Sequence, residues 1–201
     1  MKLYYYKGAC SLVVRIIMNE LGIKFQDEEV DLWAKKTASG TNFLDINPKG
    51  AVPALVLDNG DVMTESQVIL QYLTDITSGH ELLAPVGNLK RYHTLEWLNY
   101  VSTELHKTLG MFFVPMVTEE IKEKLLIPLA MYKLGYVEKH LSHNTYLMGD
   151  YYSLPDAYLY VVLRWARSFT LDFTLYPNLL KYMELIQNRA AVTLSLKQEG
   201  F

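Results

Sequence analysis

The sequence is short of several features that would announce a class. One cysteine in 201 residues excludes an internal disulfide framework and a CxxC redox pair, and leaves only a lone thiol. Nineteen lysines and arginines stand against 22 aspartates and glutamates, a formal net charge of −3. That balance argues against a nucleic-acid binder, which would carry a basic excess. No run of about 20 apolar residues is present, so no helix is expected to span a membrane. The opening MKLYYYKGACSL has no apolar core behind a basic start, so it is no signal peptide. A soluble, cytoplasmic protein is the expectation. GxGxxG, P-loop GK[ST] and GxSxG patterns are missing as well. His140 and His143 have a ligand-like spacing, but no cysteine or further histidine supports a metal site. They read as surface residues, and no metal is expected.

What is present is ordinary globular material: half the residues are apolar and a fifth are charged. The length allows one large domain or two small ones. Lys2–Tyr6 reads as a strand. A helix follows over Leu12–Leu21, with Ser11 as its cap and Gly22 at its end. Phe25–Leu32 reads as a second strand, Thr37–Asn47 as a short irregular helix, and Ala54–Leu57 as a third strand. Asp58-Asn59-Gly60 signals a hairpin, returning along Asp61–Met63. Thr64-Glu65-Ser66-Gln67 has the form of a capping box. Behind it Val68, Ile69, Tyr72, Leu73 and Ile76 share one helix face. The order β-α-β-α-β-β-α makes a small α/β domain with a mixed four-stranded sheet.

Gly79, Pro85 and Gly87 punctuate a linker over Ser78–Leu89. Beyond it only helical periodicities appear. A long stripe runs from Leu89 to Leu109. A second helix, Thr118–Leu141, holds Pro128, which should kink it. Ser153-Leu-Pro-Asp156 is a cap signal, and Pro177–Gln187 and Val192–Lys197 are shorter helices. The domains are therefore 1–80, α/β, and 88–201, all helical.

Four places could carry chemistry. Cys10 follows a strand and opens a helix, where unpaired N–H groups and partial positive charge favour a thiolate; the alternative is a buried, inert cysteine. Val52-Pro53 opens a strand. A cis bond there would expose the Val52 backbone to a ligand, although trans is the commoner form. Glu65 and Ser66 open the helix after the hairpin. Its first N–H groups could take a carboxylate and Glu65 an ammonium, or Glu65 could merely complement the helix dipole. His106 lies on the long helix in a polar stripe with Asn99 and Thr103. Such a stripe faces water, another domain or another subunit.

Together and in this order these stretches resemble the glutathione S-transferase family, and within it the bacterial beta class. The matching segments are KLYYYKGACS (Lys2–Ser11), NPKGAVPALVL (Asn47–Leu57), TESQVILQYL (Thr64–Leu73), EWLNYVSTELH (Glu96–His106), Ser153–Tyr160 and Leu163–Ala166, with Lys35-Lys36-Thr37 and Ser39-Gly40. The resemblance covers essentially the whole chain. It implies a thioredoxin-like N-terminal domain holding glutathione and a helical domain supplying the pocket of an electrophile. It implies that Val52, before a cis Pro53, pairs its backbone with the cysteinyl unit. Glu65 and Ser66 would hold the γ-glutamyl end, and Lys35 the glycine carboxylate. Cys10 would lie near the glutathione sulfur, with Ser11 beside it and Tyr5 as a secondary contributor. His106 and Lys107 would approach the same sulfur. Asn99 and Thr103 would reach glutathione in the partner subunit of a homodimer. Glutathione is a co-substrate here, and no cofactor is implied.

Two departures stand out. Lys7 replaces a proline common before Gly-Ala-Cys, and would favour a thiolate only if it points inward. Arg189-Ala190-Ala191-Val192 lacks a proline often found near the last helix. Three activities compete: conjugation of glutathione to small apolar electrophiles, Cys10-dependent thiol–disulfide exchange, and glutathione binding without turnover. Met111, Phe112, Phe113, Met116 and Trp165 could line the apolar pocket or belong to the core.

Overall fold

The computed structural model describes residues 1–77, 79–169 and 171–201; Ser78, the first residue of the expected linker, lies outside them. The chain divides into two compact units, 1–80 with 189–201, and 81–188. Residues 189–201, assigned from the sequence to the helical domain 88–201, thus group with the first unit.

Among the described residues the first unit has five strands where four were expected. They are β1 (Lys2–Tyr5), β2 (Gln26–Asp31), β3 (Lys36–Thr37), β4 (Ala54–Val56) and β5 (Val62–Thr64), in the order β3-β2-β1-β4-β5. Only β1 and β2 run parallel. The extra strand, β3, replaces the start of the irregular helix expected over Thr37–Asn47; a single 3₁₀ turn, Phe43–Asp45, is all that is helical there. The cause is local. Asp31 Oδ1 accepts from the N–H groups of Trp33 and Ala34, and Lys35 takes φ +55°, so the chain doubles back onto β2. The hairpin between β4 and β5 turns at Asp58-Asn59-Gly60, with Gly60 at φ +90°.

Helix α1 (Ser11–Glu20) carries Leu12, Val13, Val14, Ile16, Ile17 and Met18, all fully buried. A helix apolar nearly all round must be covered on both sides. The sheet covers one, and α2 (Ser66–Asp75) and α9 (Ala190–Gln198) pack on the rest. The opposite sheet face holds Tyr4, Val30, Phe43, Val52 and Ala54. Two expected caps are absent. Ser11 is the first residue of α1 and holds the preceding segment instead, bonding both the N–H and the C=O of Tyr6. Thr64 ends β5, and α2 starts at Ser66 with no side-chain cap.

The second unit is helical: α3 (Leu89–Tyr100), α4 (His106–Gly110), α5 (Glu119–Ile121), α6 (Ile127–Leu141), α7 (Leu154–Ser168) and α8 (Pro177–Gln187). The long stripe 89–109 is broken by a π-helical turn at Val101–Leu105. The helix expected over 118–141 is likewise broken by a π turn at Lys122–Leu126, just before Pro128. Proline cannot donate to the carbonyl four residues back, and a widened turn there absorbs the defect. Asp156, fully buried, reaches back to the Ser153 N–H at 2.8 Å, the acidic half of a capping box on α7. No described helix is long and apolar enough to cross a membrane.

Candidate active site

The first unit brings four of the singled-out positions together. Cys10 occupies the N-cap position of α1 in helical geometry. Its Sγ donates to the Val52 carbonyl at 3.3 Å, and the Ser66 hydroxyl and the N–H groups of Cys10 and Ser11 face the same sulfur. The Val52–Pro53 bond is cis. Glu65 stands at the N-cap of α2 with φ +68° and ψ 113°, and Ser66 behind it is buried. A non-glycine residue held at positive φ costs of order 1–3 kcal/mol, and such strain gathers at ligand clamps.

Of the two readings left open for Cys10, thiolate or buried thiol, the surroundings favour the buried thiol. Burial pushes the Cys10 thiol up to about 11, and the Glu65 carboxylate adds to the rise. The Ser66 hydroxyl and the two backbone N–H groups pull the other way and lose. Removing a thiolate from water outweighs a helix terminus when the sulfur is crowded by protein. The residue as a whole is half-buried. Lys7 does not help. Its ammonium donates to the Gly200 carbonyl at 3.0 Å and lies over the Phe201 ring, pointing out.

Lys35 sits on the rim of the Asn47–Val52 loop, its Nζ donating to the Gly50 carbonyl at 2.7 Å. Lys49, which the sequence reading passed over, bonds the Thr64 hydroxyl at 2.6 Å and pairs with the Glu65 carboxylate. No local pattern joins residues 49 and 65; only the packing of the loop beside β5 does. Tyr5, expected as a secondary contributor, has its ring 4.4 Å from the Arg15 guanidinium. It faces α1, away from the Tyr4 and Val52 side of the sheet.

In the second unit, His106 follows the π turn directly. Its Nδ1 shares a 2.6 Å hydrogen bond with the Tyr158 hydroxyl, and its ring meets Trp165 edge-on at 4.9 Å. Two buried aromatics therefore fix the imidazole. Lys107, Asn99 and Thr103 are exposed, and the Thr103 hydroxyl bonds the Asn99 carbonyl at 3.0 Å. Met111, Phe113 and Met116 are exposed, whereas Phe112 and Trp165 are buried. His140 is not the plain surface residue expected, since its ring packs on Trp97 at 4.7 Å. Trp97, Tyr100, Met131, Tyr132, Tyr136 and Tyr176 line a cleft of about 850 Å³ in this unit. Among the described residues no cluster of three or more histidines, cysteines or acidic residues is placed to hold a metal ion.

Known proteins share this fold. The model of the glutathione S-transferase N-terminal domain matches residues 8–76, and that of the C-terminal domain residues 98–190. Glutathione S-transferase GstA of Escherichia coli O157:H7 is 41% identical over 200 residues, covering 100% of this chain and 99% of that protein. A sphingomonad glutathione S-transferase, solved complexed with glutathione, is 37% identical with a TM-score of 0.95 over 100% of both chains. The bacterial beta class glutathione S-transferase of Sphingomonas chungbukensis is 36% identical with a TM-score of 0.95, over 100% of this chain and 99% of that one. Matched along its full length in sequence and in fold, the chain belongs to the glutathione S-transferase family and to its bacterial beta class.

Proposed function

We propose that this glutathione transferase binds glutathione along Cys10, Val52 and the start of α2, and adds its thiolate to small apolar electrophiles. The observation that carries the reading is the convergence of the Cys10 Sγ, the Val52 backbone and Ser66 on one spot, with Glu65 beside it. Glutathione is an amino acid at one end, a peptide in the middle and a carboxylate at the other. The start of α2 suits the γ-glutamyl carboxylate, and Glu65 its ammonium. Val52, presented by cis Pro53, suits the peptide edge, and Lys35 suits the glycine carboxylate. In this reading residues 1–80 are the glutathione domain, and the helical residues 88–188, without the 189–201 first assigned to them, supply the electrophile's apolar face through Met111, Phe113 and Met116. Tyr5, stacked on Arg15, serves packing, and Ser11 serves the loop.

The chemical task is to make the bound thiol a thiolate. Lowering a thiol pKa by two units needs on the order of 2.7 kcal/mol of differential stabilisation. Backbone N–H groups at a helix start and one charge-assisted hydrogen bond supply that much to a sulfur that stays better solvated than that of Cys10. His106 and Lys107, whose roles come from the resemblance alone, are assigned to the same sulfur. Reduced glutathione prevails in the cytosol, which suits a cytoplasmic enzyme with a free thiol.

A homodimer fits the helical unit. Tyr132 and Tyr136 are 81% and 56% exposed beside the aromatic cleft, more apolar surface than a monomer's scattered residues need. Asn99 and Thr103, exposed on the neighbouring helix, are assigned to glutathione in the partner subunit.

The test is retention on immobilised glutathione with elution by free glutathione. Wild type is expected to bind. Ser66→Ala, which removes a buried hydroxyl from the start of α2, is expected to weaken glutathione binding about tenfold, the cost of one hydrogen bond to a charged group. Equal binding by that variant in titration calorimetry would remove α2 from the site.

A further inference from the structure

We infer that Glu199 is a positioning residue for the segment that carries Cys10, acting with Gly200 and Phe201. The segment Tyr6–Cys10 joins β1 to α1; Ser11 holds its start at Tyr6, and Cys10 bonds the Val52 carbonyl at its end. Glu199 is nearly fully buried. Its Oε2 accepts from the Gly8 N–H at 2.8 Å, two residues before Cys10. Its Oε1 accepts from the Arg15 Nε at 3.1 Å, on the helix that starts at Ser11. One carboxylate therefore ties the chain on both sides of the thiol, from 191 residues away.

Arg15 is held in turn. It is 1% exposed, pairs with Asp27 and stacks on Tyr5 and Phe25. A buried ion pair is weak evidence for stability, because desolvation offsets its attraction. Its geometry, however, leaves the segment little freedom. The outer contacts repeat the pattern. Gly8 sits at φ +73°, and an added Cβ would lie 3.0 Å from the Phe201 ring. Lys7 donates to the Gly200 carbonyl and lies over the same ring at 4.9 Å. Together these contacts decide how closely the N–H groups of Cys10 and Ser11, and the Val52 carbonyl, enclose the sulfur.

The inference rests on the proposed function only in taking the Cys10 segment as the site, and its test needs no glutathione. The rate of Cys10 alkylation by iodoacetamide at pH 8 is measured on the full chain, with folding checked by circular dichroism. Glu199→Gln leaves either the Gly8 N–H or the Arg15 Nε without its acceptor. Lys7→Met with Phe201→Ala removes the outer contacts and leaves the buried pair alone. Loosening the segment uncovers a thiol whose protonation is due mainly to burial, so both are expected to react at least about threefold faster than wild type. Arg189→Met is the control. It breaks the 2.7 Å pair with Glu20, which also ties the start of α9 to α1 but does not touch the Cys10 segment. It is expected to react at the wild-type rate. Wild-type rates in the folded double variant, or equal acceleration by Arg189→Met, would overturn the assignment. Should Glu199→Gln not fold, the double variant decides alone. Retention of wild type on glutathione resin reports separately on the proposed function.

Discussion

Cys10→Ala is expected to keep conjugation of a chlorodinitrobenzene within about threefold of wild type and to lower reduction of a glutathione mixed disulfide by at least about a hundredfold. The asymmetry follows from which sulfur does the work. In conjugation glutathione's own thiolate attacks the electrophilic carbon and expels chloride; the enzyme supplies enclosure and hydrogen-bond donors. The N–H groups of residues 10 and 11 face the Cys10 sulfur and, in the proposed reading, would serve the glutathione sulfur as well; alanine keeps both. Position 10 has φ −60° and ψ −21°, which alanine adopts without strain. In disulfide exchange Cys10 itself must act. Its thiolate attacks the glutathione sulfur of the mixed disulfide and releases the other thiol. A free glutathione thiolate then attacks the Cys10–glutathione bond and leaves as glutathione disulfide, returning the cysteine.

The raised thiol orders the two activities. With its pKa pushed up to about 11, Cys10 is ionised in roughly one molecule in 10⁴ at pH 7, against about 3% for an ordinary thiol. Residual exchange by wild type should therefore climb about tenfold per pH unit between pH 7 and 9, while conjugation follows the bound glutathione thiol instead. Stopped-flow assays of both reactions across that range, on wild type and Cys10→Ala, decide the matter. Conjugation that collapses with the mutation would make Cys10 indispensable to glutathione activation. Exchange that survives it would move the redox chemistry away from Cys10.

Local features were legible in the sequence; features made by packing were not. The hairpin at Asp58-Asn59-Gly60 and the box at Ser153–Asp156 each turn on a few consecutive residues, and both are present. The two-residue strand β3 carries no periodicity. It exists because an aspartate turn and a positive φ at Lys35, a residue that does not advertise one, fold the chain back. Glu65 hides its backbone in the same way. Its strained φ makes Glu65 and not Thr64 the cap of α2, so the apparent capping box misplaced that helix start by one residue. The site itself was legible only through resemblance, because residues 10, 52 and 65 meet by topology rather than spacing. The direction of the Cys10 shift was left open between thiolate and buried thiol for a quantitative reason. The sequence shows the helix start, which lowers a thiol pKa, but not the crowding around the sulfur, which raises it more. Likewise nothing in the periodicity of 190–198 says that this helix packs on α1, where Glu199 becomes available to the Cys10 segment.

The largest effect on stability is expected at Asp156. Its carboxylate accepts from the Leu147 N–H (2.9 Å), the Tyr182 hydroxyl (2.8 Å), the Ser153 N–H (2.8 Å) and the Ser153 hydroxyl (2.9 Å). Asp156→Ala leaves these buried donors short of a partner at about 1–3 kcal/mol each, not fully additive. A loss of about 4–5 kcal/mol is expected, a large share of a domain's stability, read as a melting temperature about 10–15 °C lower. Asp156→Asn keeps the shape and should cost about half as much. The pH dependence separates charge from shape. Burial outweighs the four donors and pushes the Asp156 carboxyl up to about 6, above the roughly 3.9 of an unfolded aspartate. Between about pH 4 and 6 the unfolded chain has already lost a proton that the folded chain keeps, so unfolding releases protons and Asp156's contribution falls as pH rises, by about 2–3 kcal/mol across the window. Asparagine does not titrate. The stability gap between wild type and Asp156→Asn should therefore narrow from pH 4 to pH 6.5 in urea titrations. A gap that widens over that range would mean that the four donors win and the carboxylate is ionised throughout, which reverses the electrostatic account of the box while leaving its hydrogen bonds in place.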